Sequence, residues 1–227
     1  MLSAPETLRR ILVLIMVLVA GCVDAIGFQS ADIFPANMTG NAVLIATSLV
    51  RTSPLAQAAG PALVLLIFCL GCCLAALLIR LKNILSLNTT ALVIFLDALV
   101  IISCGASLLL FSGLFSITHI LVIAFAMGMQ SVAALALNVP GAGITVVITS
   151  TLTAGISKAM SLIGDFFLKE HTTPRSAPVF PLLVFFIYFA GAFIGVFHPG
   201  CSIALVILIL GILMSGVAIA TTIIHNR

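Results

Sequence analysis

Two carboxylates stand where carboxylates are rare: Asp24 and Asp97 each lie inside a long stretch with no other charged side chain. An ionisable group at bilayer depth is costly and usually faces a bundle interior or a cavity. Such a group can hold a proton or a cation and couple it to transport, and Asp24, with a polar cluster close in sequence, is the expected coupling carboxyl. It can equally hydrogen-bond a neighbouring helix and only hold the fold together. The second feature is a pair of polar helix starts. Pro35-Ala36-Asn37-Met38-Thr39-Gly40-Asn41 places small and amide side chains where a helix begins. Unpaired N–H groups and the positive dipole end gather there, which suits an anion or a carboxylate. The corresponding region runs from Asn138-Val139-Pro140-Gly141-Ala142-Gly143 to Thr149-Ser150-Thr151. Interrupted helices at matching places in two halves point to a transporter's binding site. The competing reading is that Asn and Thr cap helices while Gly allows close packing. The candidate substrate-binding or ion-binding set is Asp24, Thr39, Gly40, Asn41, Asp97, Gln130, Thr149 and Thr151.

The remaining reactive side chains form no constellation. Gln130, beside Met127-Gly128-Met129, is an amide in an apolar helix that lines a cavity or bonds another helix. Lys158 can snorkel towards Asp165 or the membrane surface. Cys22, Cys69, Cys72, Cys73, Cys104 and Cys201 sit in apolar stretches, and the C-x-x-C-C cluster has no nearby His. They read as packing or lipid-facing thiols. His119, His171, His198 and His225 are scattered near segment ends without metal-ligand spacing. With no nucleophile–base set, phosphate loop or paired metal motif in view, neither catalysis nor a cofactor is expected.

The elements that must position these groups are transmembrane helices. Of the 227 residues, 63% are hydrophobic and 7% charged, against roughly 45–50% and about 25% in ordinary globular proteins. No Asp, Glu, Lys or Arg falls between Asp97 and Lys158 or between Arg175 and Arg227, whereas a crossing needs only about 20 apolar residues. The net charge of +3 comes from basic residues at segment ends, where anchoring explains them better than nucleic acid. Arg9-Arg10 and the run to Val19-Ala20-Gly21-Cys22 resemble a lipoprotein signal. The residues just beyond belong to a pattern that requires the first helix, so retention is expected.

Eight helical segments are predicted, over approximately 8–27, 36–51, 56–80, 89–112, 116–137, 142–166, 178–197 and 200–224. The second would reach only about 24 Å, so it either spans a thinned bilayer or re-enters. The chain also repeats itself. Met38-Thr39-Gly40-Asn41 parallels Ile148-Thr149-Ser150-Thr151, Ala20-Gly21 parallels Met127-Gly128, and the Phe68–Cys72 region parallels Phe189–Ala192. Internal repeats over about 8–112 and 116–225 follow. Of nine basic residues, eight full crossings leave seven inside and two outside, and two re-entrant segments leave eight and one. Six or eight crossings therefore both satisfy the charge rule. In the six-crossing case the halves are inverted.

Ala20-Gly21-x-x-Asp24-Ala25, Met38-Thr39-Gly40-Asn41 and Ala126-Met127-Gly128-Met129-Gln130 resemble the YoaK-like bacterial membrane proteins, a family named for its unknown function. The similarity covers nearly the whole chain in order. One departure is Thr149-Ser150-Thr151-Leu152, where such proteins commonly read Thr-Gly-Thr-Leu. The resemblance implies fold and location and brings no substrate or catalytic residue. The expectation is therefore an all-α polytopic transmembrane bundle of two repeats, multi-pass in a bacterial inner membrane with both termini cytoplasmic. Its partners would be the lipid bilayer and a small solute or ion, with homo-oligomerisation open and no nucleic acid. A transporter and a non-transporting scaffold are the two functions in competition.

Overall fold

The computed structural model describes residues 4–50, 54–81, 88–111, 115–139, 148–168, 179–197 and 202–225. Among the described residues the regular structure is all helix. The elements are α1 (Ala4–Ala31), α2 (Met38–Ser48), α3 (Pro54–Arg80), α4 (Thr89–Leu110), α5 (Ile117–Ala136), α6 (Ile148–Leu168), α7 (Val179–Val196) and α8 (Ile203–His225). These are the eight predicted segments with shifted ends. Local chemistry sets several of those ends. Asn37 caps α2 by accepting from Gly40 N at 3.1 Å, and Asn88 caps α4 by accepting from Ala91 N at 3.2 Å. At the start of α5, Ser116 N donates to His119 Nδ1 at 3.2 Å. Asp32 and Asn138, which follow α1 and α5, take the left-handed conformation with φ of 55° and 47°. Asp and Asn tolerate that region better than other side chains, and both residues stop a helix that apolar sequence alone would let run on.

Helices α1, α5, α4 and α8 close a ring in that order, each packed on the next. The main apolar core fills it, with Met16, Ile94, Ile101, Met127, Ile207 and Met214 among its buried side chains. Outside the ring, α7 packs on α1 and α3 packs on α5; α2 lies on α3 and α6 on α7. Small residues make the two outer contacts close. A methyl on Gly21 would run into the carbonyl oxygen of Tyr188, and one on Gly191 into that of Leu18. The α3–α5 contact is built alike, Gly71 facing the Phe125 carbonyl and Gly128 that of Phe68. In lipid, where apolar side chains gain nothing by leaving the solvent, such backbone proximity is what holds helices together.

Among the described residues six helices are long and apolar enough to cross a membrane: α1, α3, α4, α5, α7 and α8. With 11 residues α2 reaches about 16 Å, half of a hydrocarbon core about 30 Å thick. Helix directions agree with six crossings. Asn88 Nδ2 donates to Thr221 O at 3.0 Å, while Gly105 meets Ala204 and Gly211 meets Ala98. Hence α4 and α8 are antiparallel, whereas eight successive crossings would run them the same way. Arg9 at the start of α1, Thr89 at the start of α4, Leu137 after α5 and Thr221 near the end of α8 share one pocket. The start of α1 and the end of α8 therefore lie on the same face, the face of the termini.

Candidate functional site

The last turns of α1 carry Asp24, which is buried with 3% of its surface exposed. The chain past Asp32 folds back over it, and Oδ1 accepts from Ala36 N at 2.6 Å and Asn37 N at 3.1 Å. Tyr188 on α7 donates its hydroxyl to Oδ2 at 2.7 Å. The N–H groups ahead of α2 thus meet the chain's own carboxylate. Asn41, fully buried, closes the same loop by accepting from Phe34 N at 3.0 Å and donating to Phe34 O at 2.6 Å. Gly40 leaves room for the Phe34 ring, which lies 2.8 Å from where its Cβ would stand. Phe34 in turn stacks on Phe28, the ring centroids 4.8 Å apart. Thr39 is exposed on the outer surface of α2. Beside this knot, on the face away from the termini, lies a cleft of about 520 Å³ lined by Asp24, Gln29, Asp32, Phe34, Tyr188 and Val196.

Asp97 and Gln130 belong to the ring. Asp97 is fully buried in α4, and among the described residues neither of its carboxylate oxygens has a hydrogen-bond partner. Gln130, also buried, donates Nε2 to Met16 O of α1 at 2.9 Å, and its Oε1 is unpartnered. Above them, on the face of the termini, a pocket of about 170 Å³ is lined by Arg9, Asn88, Thr89, Thr90, Leu137 and Thr221. The candidate residues therefore fall into two groups. Asp24, Gly40 and Asn41 hold the loop at one face, whereas Asp97 and Gln130 lie in the ring nearer the other. The side chains of Thr149 and Thr151, and residues 140–147, lie outside the described residues. Sequence reasoning did not single out Tyr188, although it is the one tyrosine of the chain and sits in an apolar helix. Nor did it single out Asn88 and Thr221, whose meeting depends on helices far apart in the chain.

The sequence model of a family described as "Protein of unknown function (DUF1275)" matches residues 12–220. The chain belongs to this family. Its sequence is 32% identical over 192 residues to the UPF0700 transmembrane protein YoaK of Bacillus subtilis (strain 168), covering 82% of each chain. No solved structure matches. Membership of the family and the six apolar helices together make this a multi-pass membrane protein. The Asp24, Asn41 and Gln130 strings that carried the resemblance all lie inside the matched region.

Proposed function

We propose that this DUF1275 protein transports a small solute or ion across the bacterial inner membrane, by alternating access between two inverted halves with both termini cytoplasmic. The observation that carries the reading is an exchange in the packing. Helix α1 meets α7 as α5 meets α3. Gly128 and Phe125 stand 107 residues after Gly21 and Leu18, and Tyr188 and Gly191 stand 120 residues after Phe68 and Gly71. The contact between α4 and α8 exchanges with itself: Gly105 meets Leu208 and Gly211 meets Ile102. Asp32 and Asn138 end α1 and α5 in the same left-handed way. Three spans in each half give the halves opposite orientations, an arrangement that many secondary transporters use. Arg9, Arg10 and Arg80 lie towards the face of the termini, which supports a cytoplasmic assignment for that face.

The competing reading is a non-transporting scaffold, and the complete set of partners on Asp24 favours it at that residue. Purified protein in liposomes separates the two. Ions, organic acids and amphiphiles that raise its melting temperature are then tested as gradients across the vesicle wall. The expected result is that at least one of them moves faster than in protein-free vesicles and that Asp97→Asn slows it. Stabilising ligands that none of the vesicles transport would leave the scaffold.

A further inference from the structure

Asp97 shares a buried stripe of α4 with Ile101, Cys104 and Leu108, spaced as one face of a helix. Cys104 Sγ lies 4.0 Å from His119 O, so this face looks onto α5. Thr89 and Leu137 line the same pocket at opposite ends of their helices, so α4 and α5 are antiparallel. Asp97 therefore stands level with the Ala126–Gln130 turn. Rise along the helices puts Asp97 and Gln130 about 10–12 Å below the pocket. Three side-chain oxygens at this depth, Asp97 Oδ1 and Oδ2 and Gln130 Oε1, have no donor. A carboxyl buried among apolar side chains, with no protein donor among the described residues, is costly in its charged form. A proton or another cation offsets that cost. A metal cation asks for a shell of several oxygens, whereas a proton needs one carboxylate oxygen and an acceptor for the resulting O–H.

We infer that Asp97 is a reversible proton-binding site, loaded from the face of the termini through the pocket of Arg9, Asn88, Thr90 and Thr221, with Gln130 Oε1 as the acceptor at its level. The inference rests on the transport reading for what the proton drives. The other titratable or charged groups on neighbouring elements leave the assignment to Asp97. On α5 the one such residue is His119, near the opposite face; on α8 it is His225, at the helix end. On α3 they are Cys69, Cys72, Cys73 and Arg80, of which Cys72 faces Gly128 O at 3.4 Å. Across the ring, α1 has Glu6, Arg9 and Arg10 towards the pocket and Cys22 and Asp24 towards the other face. On α4 itself there is Cys104.

Infrared difference spectroscopy of the full chain in lipid nanodiscs reads protonation without reference to transport, so the two readings can fail separately. A protonated-carboxyl band should grow as pH falls, vanish in Asp97→Asn and persist in Asp24→Asn. A titrating band unchanged in Asp97→Asn, or no titrating carboxyl band in the wild type, overturns the site. If Asp97→Asn does not fold, Asp97→Glu carries the test, and a band that keeps its frequency overturns the assignment. A band that sodium abolishes at fixed pH overturns the choice of the proton over a metal cation. Thr90→Trp should slow the response to a pH jump and leave its final amplitude intact. An unchanged rate overturns the route.

Discussion

Asp24 and Asp97 are both acids in apolar helices, and they differ in what surrounds them. Three donors converge on Asp24, two of them backbone N–H groups of the loop ahead of α2 and the third the Tyr188 hydroxyl. Its work is to pin that loop and α7 to the end of α1. Asp24→Ala orphans all three donors and should lower unfolding free energy by about 2–4 kcal/mol, whereas Tyr188→Phe removes one bond and should cost about 1–2 kcal/mol. Unfolding of the purified protein checks the order, and a tyrosine variant as damaging as the aspartate variant would contradict the pinning role. Asp97 has no comparable partners. A buried acid was readable from the sequence, but its partners were not, because Tyr188 lies 164 residues from Asp24 along the chain.

At the scale of the element, the helices are held less by side-chain volume than by what is missing from it. Backbones approach at Gly21 with Gly191 and at Gly71 with Gly128 because no Cβ intervenes. Valine at Gly21 or Gly128 forces the helices apart, at about 1–3 kcal/mol for the overpacking alone. The two variants should lower the melting temperature to comparable extents, since their surroundings correspond. Gly216→Val, where nothing lies within 4 Å of the added carbon, should leave it unchanged. Unequal losses at Gly21 and Gly128 would count against equivalence of the two interfaces. Small residues four apart at Gly71 with Ala75 and Gly191 with Gly195 were legible as contact stripes, and both stripes are buried. Which helix each stripe meets was not legible, because any apolar helix offers such a face.

The whole molecule is a four-helix ring with two flanking spans and two helices, α2 and α6, outside the set of candidate crossings. Reporter fusions or accessible single cysteines locate the connections. A reporter at Arg51 should lie on the side opposite the N-terminus, and one after Arg80 on the same side as the N-terminus. A reporter at Arg51 on the side of the N-terminus would restore eight crossings. Charge counting alone left six and eight crossings a single residue apart. The antiparallel course of α4 and α8, seen in Asn88 against Thr221, separates them.

Composition and apolar run length by themselves determined that this is a helical membrane protein, and where its helices lie. Each peptide group in hydrocarbon must be satisfied within its own segment, so sequence and secondary structure are tied closely there. Only the tertiary structure decided which polar groups find partners. Hydrogen bonds between helices depend on which faces meet, and uniformly apolar helices do not encode that choice in their periodicity. So Asp24, the acid that the sequence favoured for coupling, holds three donors, whereas Asp97 has none among the described residues.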